Sequence, residues 1–122
     1  MTSAVFLYGT LMPGLPRWPA LKPFCTDDLC MTSAVPGRLF NTGWGWPAAI
    51  FDVAADAAVP GVVAHIVPGR LREALDVLDQ IEGVDVGLFE RIAVRTSVGI
   101  EAWTYEWAGV TVNFSEIQRW CR

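Results

Sequence analysis

Short apolar runs, broken by glycine, proline or small polar residues, dominate the pattern along this chain. The runs at residues 5–8, 31–40, 48–53 and 61–67 have strand length. Two more, 89–96 and 100–107, flank Ser97-Val98-Gly99 and read as a hairpin. Pro36-Gly37 inside the second run predicts an edge or a bend, and a turn around Asp56 separates the third from the fourth. Residues 15–24 carry Pro16, Pro19 and Pro23, which predicts an irregular loop or a single helical turn. Residues 41–47 read as a loop that is unusually aromatic.

One stretch has a different period. In RLREALDVLDQIEG, after Pro68-Gly69, Leu71, Ala74, Leu75, Leu78 and Ile81 recur at helical spacing, with Gly83 placed to end the helix. Ser115-Glu116-Ile117-Gln118 matches a capping box and predicts a short C-terminal helix. Many short strands with one late helix predict an α+β protein built on a curled antiparallel or mixed sheet, not an alternating βαβ fold.

Composition narrows the class. The chain has 122 residues, fitting one domain over 1–122, and its 52% hydrophobic and 18% charged content predicts a real core. Lys22 is the single lysine among nine basic residues and the net charge is −4, so no basic cluster is available for nucleic acid. No apolar run is long enough to span a membrane, and the N-terminus lacks the basic segment of a signal peptide. A cytoplasmic location is expected, with Cys25, Cys30 and Cys121 reduced. Structural zinc needs four ligands, and His65 is the only histidine to add to these cysteines.

Glu82 is the first chemical candidate. At about 100° per residue it falls about 20° from Leu71 on the helical wheel, within the apolar stripe. Partial burial and the negative end of the helix dipole would both raise its pKa, as a general acid–base near neutral pH requires. If the helix frays earlier, the carboxylate simply reaches water. The second candidate is Tyr8-Gly9-Thr10-Leu11, where the first strand runs into a tight turn. Consecutive backbone N–H groups there could cradle an anion, with the Tyr8 and Thr10 hydroxyls as further donors and glycine allowing a positive φ. An ordinary strand-end turn is the alternative. No Gly-Lys-Ser/Thr follows, so a nucleotide-hydrolysing loop is excluded. A hydrolytic triad is unsupported around His65, and nothing suggests a Schiff base at Lys22. Trp103, Tyr105 and Trp107 share one face of a strand, which could line a core or a pocket.

Taken in order, YGTL, GRLF, PGVVAHIVP, LDVLDQIEG, LFERIAV and AWTYEW resemble the γ-glutamylcyclotransferase-like family, which includes small bacterial proteins and the plant AIG2-like proteins. The resemblance covers residues 5–107 and implies a small mixed, mostly antiparallel β-barrel flanked by helices. It also implies a reaction without metal or cofactor: the α-amine of a γ-glutamyl group attacks its own γ-carbonyl, releasing 5-oxoproline and an amine or amino acid. Glu82, in the LDxxEG stretch, takes the position of the family's catalytic carboxylate. Tyr8, Gly9, Thr10 and Leu11 take that of the loop holding the γ-glutamyl moiety, with Arg91 and Tyr105 as further substrate contacts. The partner so implied is a small γ-glutamyl substrate, not nucleic acid or membrane. The chain departs from the family at Phe89, where a tyrosine is common, and at Phe40. The missing hydroxyl leaves a second reading, a non-catalytic binding module with the same pocket.

Overall fold

A computed structural model describes residues 3–26 and 30–120. Its first strand, β1 (Ala4–Leu7), is buried at all four positions. It pairs antiparallel with β4 (Ala58–His65) and parallel with β6 (Glu101–Trp107). β2 (Met31–Asn41), β3 (Pro47–Phe51) and β5 (Phe89–Arg95) complete the sheet order β3-β2-β4-β1-β6-β5.

β2 explains how the sheet curls. Residues Met31 to Pro36 pair with β4, and Gly37 to Asn41 pair with β3. Pro36-Gly37 therefore marks a bend where an internal strand changes partner, and not an edge. A Cβ on Gly37 would strike the Ile50 carbonyl, so the strands meet there only around glycine. The curl carries β3 over to β6, where the Phe51 amide donates to Glu106 Oε2 at 2.8 Å. The result is a half-barrel with a separate core on each face of β1. Phe6 and Tyr8 point inside the curl among Val35, Leu39, Val59 and Val63. Val5 and Leu7 point outward onto Leu75 and Leu78 of the long helix.

That helix, α2 (Leu71–Glu82), buries Ala74, Leu75 and Leu78, the apolar stripe read from its period. The proline-rich segment forms one short helix, α1 (Trp18–Leu21), continued by a 3₁₀ turn at Lys22–Phe24. One expected element is corrected. Ser115–Ile117 is not a helix but a strand, β7, paired with β2 at Leu39–Asn41. Three residues carry too little period to choose a conformation, and the open side of β2 supplies hydrogen bonds that the capping box would have to replace. Glu116, the expected capping-box interior, instead pairs with Arg38 at 2.8 Å.

Cys25 and Cys30 are free thiols. Burial, with Cys30 nearby, pushes the Cys25 thiol up to about 11. Cys121 lies outside the described residues. No helix among those residues is long and apolar enough to cross a membrane.

Candidate active site

The loop after β1, the end of α2 and the start of β3 meet at one cleft. Tyr8, Gly9, Thr10 and Leu11 line it with Glu82 and Tyr105. The sequence separates these groups widely, and the packing of α2 on the outer face of β1 brings them together.

The loop is held by its own backbone. Met12 N donates to Gly9 O at 3.0 Å, and Arg17 N donates to Thr10 O at 2.9 Å. The amides of Gly9, Thr10 and Leu11 have no backbone partner among the described residues. Successive backbone N–H groups in a turn can bind a carboxylate or phosphate, and all three residues line the cleft. Gly9 itself is not at positive φ, contrary to the expectation from sequence. Glycine is required there because Pro47 closes on it: a Cβ would stand 2.8 Å from Pro47 Cγ.

Tyr8 lines the cleft, but its hydroxyl is committed elsewhere, donating to the Tyr105 carbonyl at 2.6 Å. Burial, then the nearby Glu82 carboxylate, holds its phenol well above the usual range. It anchors the loop to β6 and has no spare proton to offer a ligand.

Glu82 is the last residue of α2, and the helix does not fray before it. Gly83 takes the left-handed conformation at φ 67°, and its amide donates to Asp79 O and Gln80 O. The carboxylate keeps some surface open to the cleft, yet protein atoms crowd it. Burial raises its pKa from 4.5 to about 7, partly opposed by the Arg17 guanidinium. It therefore exchanges protons near neutral pH, in either direction.

Tyr105 lines the cleft, while its hydroxyl donates to Asp79 Oδ1 at 2.7 Å. Burial and that bond raise its pKa well above the ordinary value. Arg91 Nη1 donates to the other oxygen, Asp79 Oδ2, at 2.9 Å. Its guanidinium lies 5.4 Å from the centre of the Trp103 ring. The structure thus brings Arg91 to Asp79 and not to the cleft wall. Because Arg91 and Tyr105 face each other across β5 and β6, one carboxylate fastens α2 to both strands.

Sequence reasoning missed Asp79 and Arg17. Asp79 sits three residues before Glu82 on the same helix, a spacing that should have flagged it. Arg17 reaches the end of α2, with Nη1 3.5 Å from Ile81 O, and it lines the cleft beside Glu82. Nothing local in its proline-rich surroundings signals that role. Among the described residues, no group of three or more His, Cys, Asp or Glu could hold a metal ion.

The family model for gamma-glutamyl cyclotransferase, AIG2-like, matches residues 5–122. The chain belongs to this family. Solved structures share its fold. An AIG2-like protein from Mus musculus superposes with a TM-score of 0.72 at 15% identity, over 98% of this chain and 88% of that one. Escherichia coli YtfP gives 0.61 at 22% identity, over 95% and 92% of the two chains. YkqA from Bacillus subtilis gives 0.67 at 24% identity, over 96% of this chain, which spans only 38% of the YkqA length. No curated protein matches the chain. At these identities the likenesses establish the fold, and the family model establishes the membership.

Proposed function

We propose that this AIG2-like chain is a γ-glutamyl cyclotransferase-type enzyme that converts a small γ-glutamyl compound into 5-oxoproline and a free amine or amino acid. One observation carries the reading: a partly buried carboxylate with a pKa of about 7 lines the same cleft as three successive residues whose amides have no backbone partner among the described residues. The amides of Gly9, Thr10 and Leu11 grip the substrate's α-carboxylate. The neighbouring α-ammonium then lies toward Glu82, which removes one proton and frees the nitrogen lone pair.

That nitrogen attacks the γ-carbonyl carbon, forming the ring C–N bond, and the tetrahedral intermediate collapses as the original amide C–N bond breaks. Glu82 returns its proton to the departing nitrogen. The second proton shed by the ammonium ends on the released amine, so charge and atoms balance. Closing a five-membered ring within one bound molecule needs positioning more than activation. The steps are proton transfers and acyl transfer, with no change of oxidation state, so the reading calls for no redox cofactor.

The test is 5-oxoproline release over a panel of γ-glutamyl compounds with chelator present. Glu82→Gln preserves shape and should lower kcat by about 10²–10⁴-fold. KM should change little, because the loop holds the carboxylate. A folded Glu82→Gln variant with undiminished turnover would overturn the assignment. Tight binding of a γ-glutamyl compound by an inactive wild-type protein would favour the binding-module reading instead.

A further inference from the structure

Outside the acid–base machinery, an aromatic cluster beside the cleft is unaccounted for. Trp46 lines the cleft, and its ring centre lies 5.3 Å from that of Trp44, 5.7 Å from Phe89 and 5.8 Å from Trp107. Trp44 also meets Phe114 edge-on at 5.5 Å. These contacts back the Trp44 indole, yet it remains 60% exposed. Its loop is well tied. Thr42 Oγ1 donates to Trp46 O at 2.6 Å and accepts from Trp44 N at 3.1 Å, while Gly43 N donates to Asn41 Oδ1 at 2.9 Å.

Core packing explains Trp46, Phe89 and Trp107. It does not explain why a hydrogen-bonded loop holds a tryptophan open to water, in ring contact with the residue that forms the cleft wall. Glu82 and the residues of the loop share the cleft with Trp46, and the Trp44 ring continues the Trp46 surface out to solvent.

We propose that Trp44 and Trp46 form a shelf for the amine side of the substrate, selecting γ-glutamyl amides of apolar, ring-bearing amines over those of small amines. This rests on the cyclotransferase reading and names its substrate class. Phe89 fits the same logic, because its ring, which carries no polar group, packs against both Trp46 and Trp107 and keeps the base of the shelf apolar.

The test compares γ-glutamylbenzylamide with γ-glutamylmethylamide, two alkyl amides of similar intrinsic reactivity. Release of 5-oxoproline is measured for the wild type, Trp44→Ala and Trp44→Phe. Binding of both compounds to Glu82→Gln protein, with and without Trp44→Ala, is measured by calorimetry. The wild type should favour the benzylamide in kcat/KM by about tenfold or more, as expected for covering a phenyl ring. Trp44→Ala should cut that preference by about 2- to 13-fold, the range of an aromatic pair, and Trp44→Phe should restore most of it. Equal kcat/KM for the two amides, or a preference untouched by Trp44→Ala, would overturn the shelf while leaving the cyclotransferase reading intact. If neither amide is turned over, the binding ratio decides: tighter benzylamide binding that Trp44→Ala abolishes supports the shelf, and its absence refutes it. A dimer that Trp44→Ala dissolves, with no discrimination between the amides, would assign the surface to self-association and refute the proposal.

Discussion

Glu82→Gln should make the protein more stable at neutral and alkaline pH, even as it removes the proposed acid–base group. The carboxyl ionises at 4.5 ordinarily and at about 7 in the folded chain, because burial penalises its charge. The folded state therefore holds the proton more tightly than the unfolded state does. Its contribution to stability is complete below about pH 4.5, is lost as the pH rises toward 7, and is gone above that. At about 1.4 kcal/mol per tenfold, the difference has a ceiling of about 3 kcal/mol. Solvent reaching the exposed part of the carboxylate lowers this to about 1–3 kcal/mol. Glutamine does not titrate, so the gap between variant and wild type should open across that window and then level off. For a chain of this length each kcal/mol is worth about 4 °C, giving a Tm advantage of about 4–12 °C at pH 8. Thermal melts of both proteins from pH 4 to pH 8 provide the check, since every other titrating group cancels in the difference. Parallel curves, or a variant less stable at pH 8, would refute the burial argument.

Two further outcomes concern the rim of the cleft. Gly9→Val forces Pro47 away from its 2.8 Å approach to the new Cβ position and should cost about 1–3 kcal/mol in urea unfolding, whereas Thr10→Ser should stay within about 0.5 kcal/mol. Binding of a γ-glutamyl compound should weaken far more in the valine variant. Arg17→Gln removes the cation that opposes the rise in the Glu82 pKa, so the acidic limb of the kcat–pH profile should move to higher pH. An unmoved limb would separate Arg17 from the titration of Glu82.

The fold was legible where the pattern was long enough to have a period. The α2 stripe and the position of Glu82 on it followed from residue spacing, and the strands followed from apolar runs bounded by turn residues. Legibility failed where a partner decides the outcome. Ser115-Glu116-Ile117-Gln118 satisfies a capping box by sequence, but its first three residues pair with β2 because that strand has an open side. At the cleft, Tyr8 reads as a donor to a ligand until its hydroxyl is found donating to the Tyr105 carbonyl. Asp79 draws no notice in the sequence, and its role emerges only where the curled sheet carries Tyr105 and Arg91 to its two oxygens. Each of these depends on residues distant in the chain, which no local window contains.

The position of β1 determines how the cleft behaves before any ligand arrives. This strand lies between β4 and β6 with a separate core on each face, so separating it from its neighbours disrupts both cores at once. In hydrogen-exchange terms its amides belong with the global unfolding unit and not with locally opening segments. The Gly9, Thr10 and Leu11 amides, without a backbone partner among the described residues, follow that strand after Tyr8. On the proposed function, a substrate would meet groups already fixed in place, and little of its binding energy would be lost to ordering the protein.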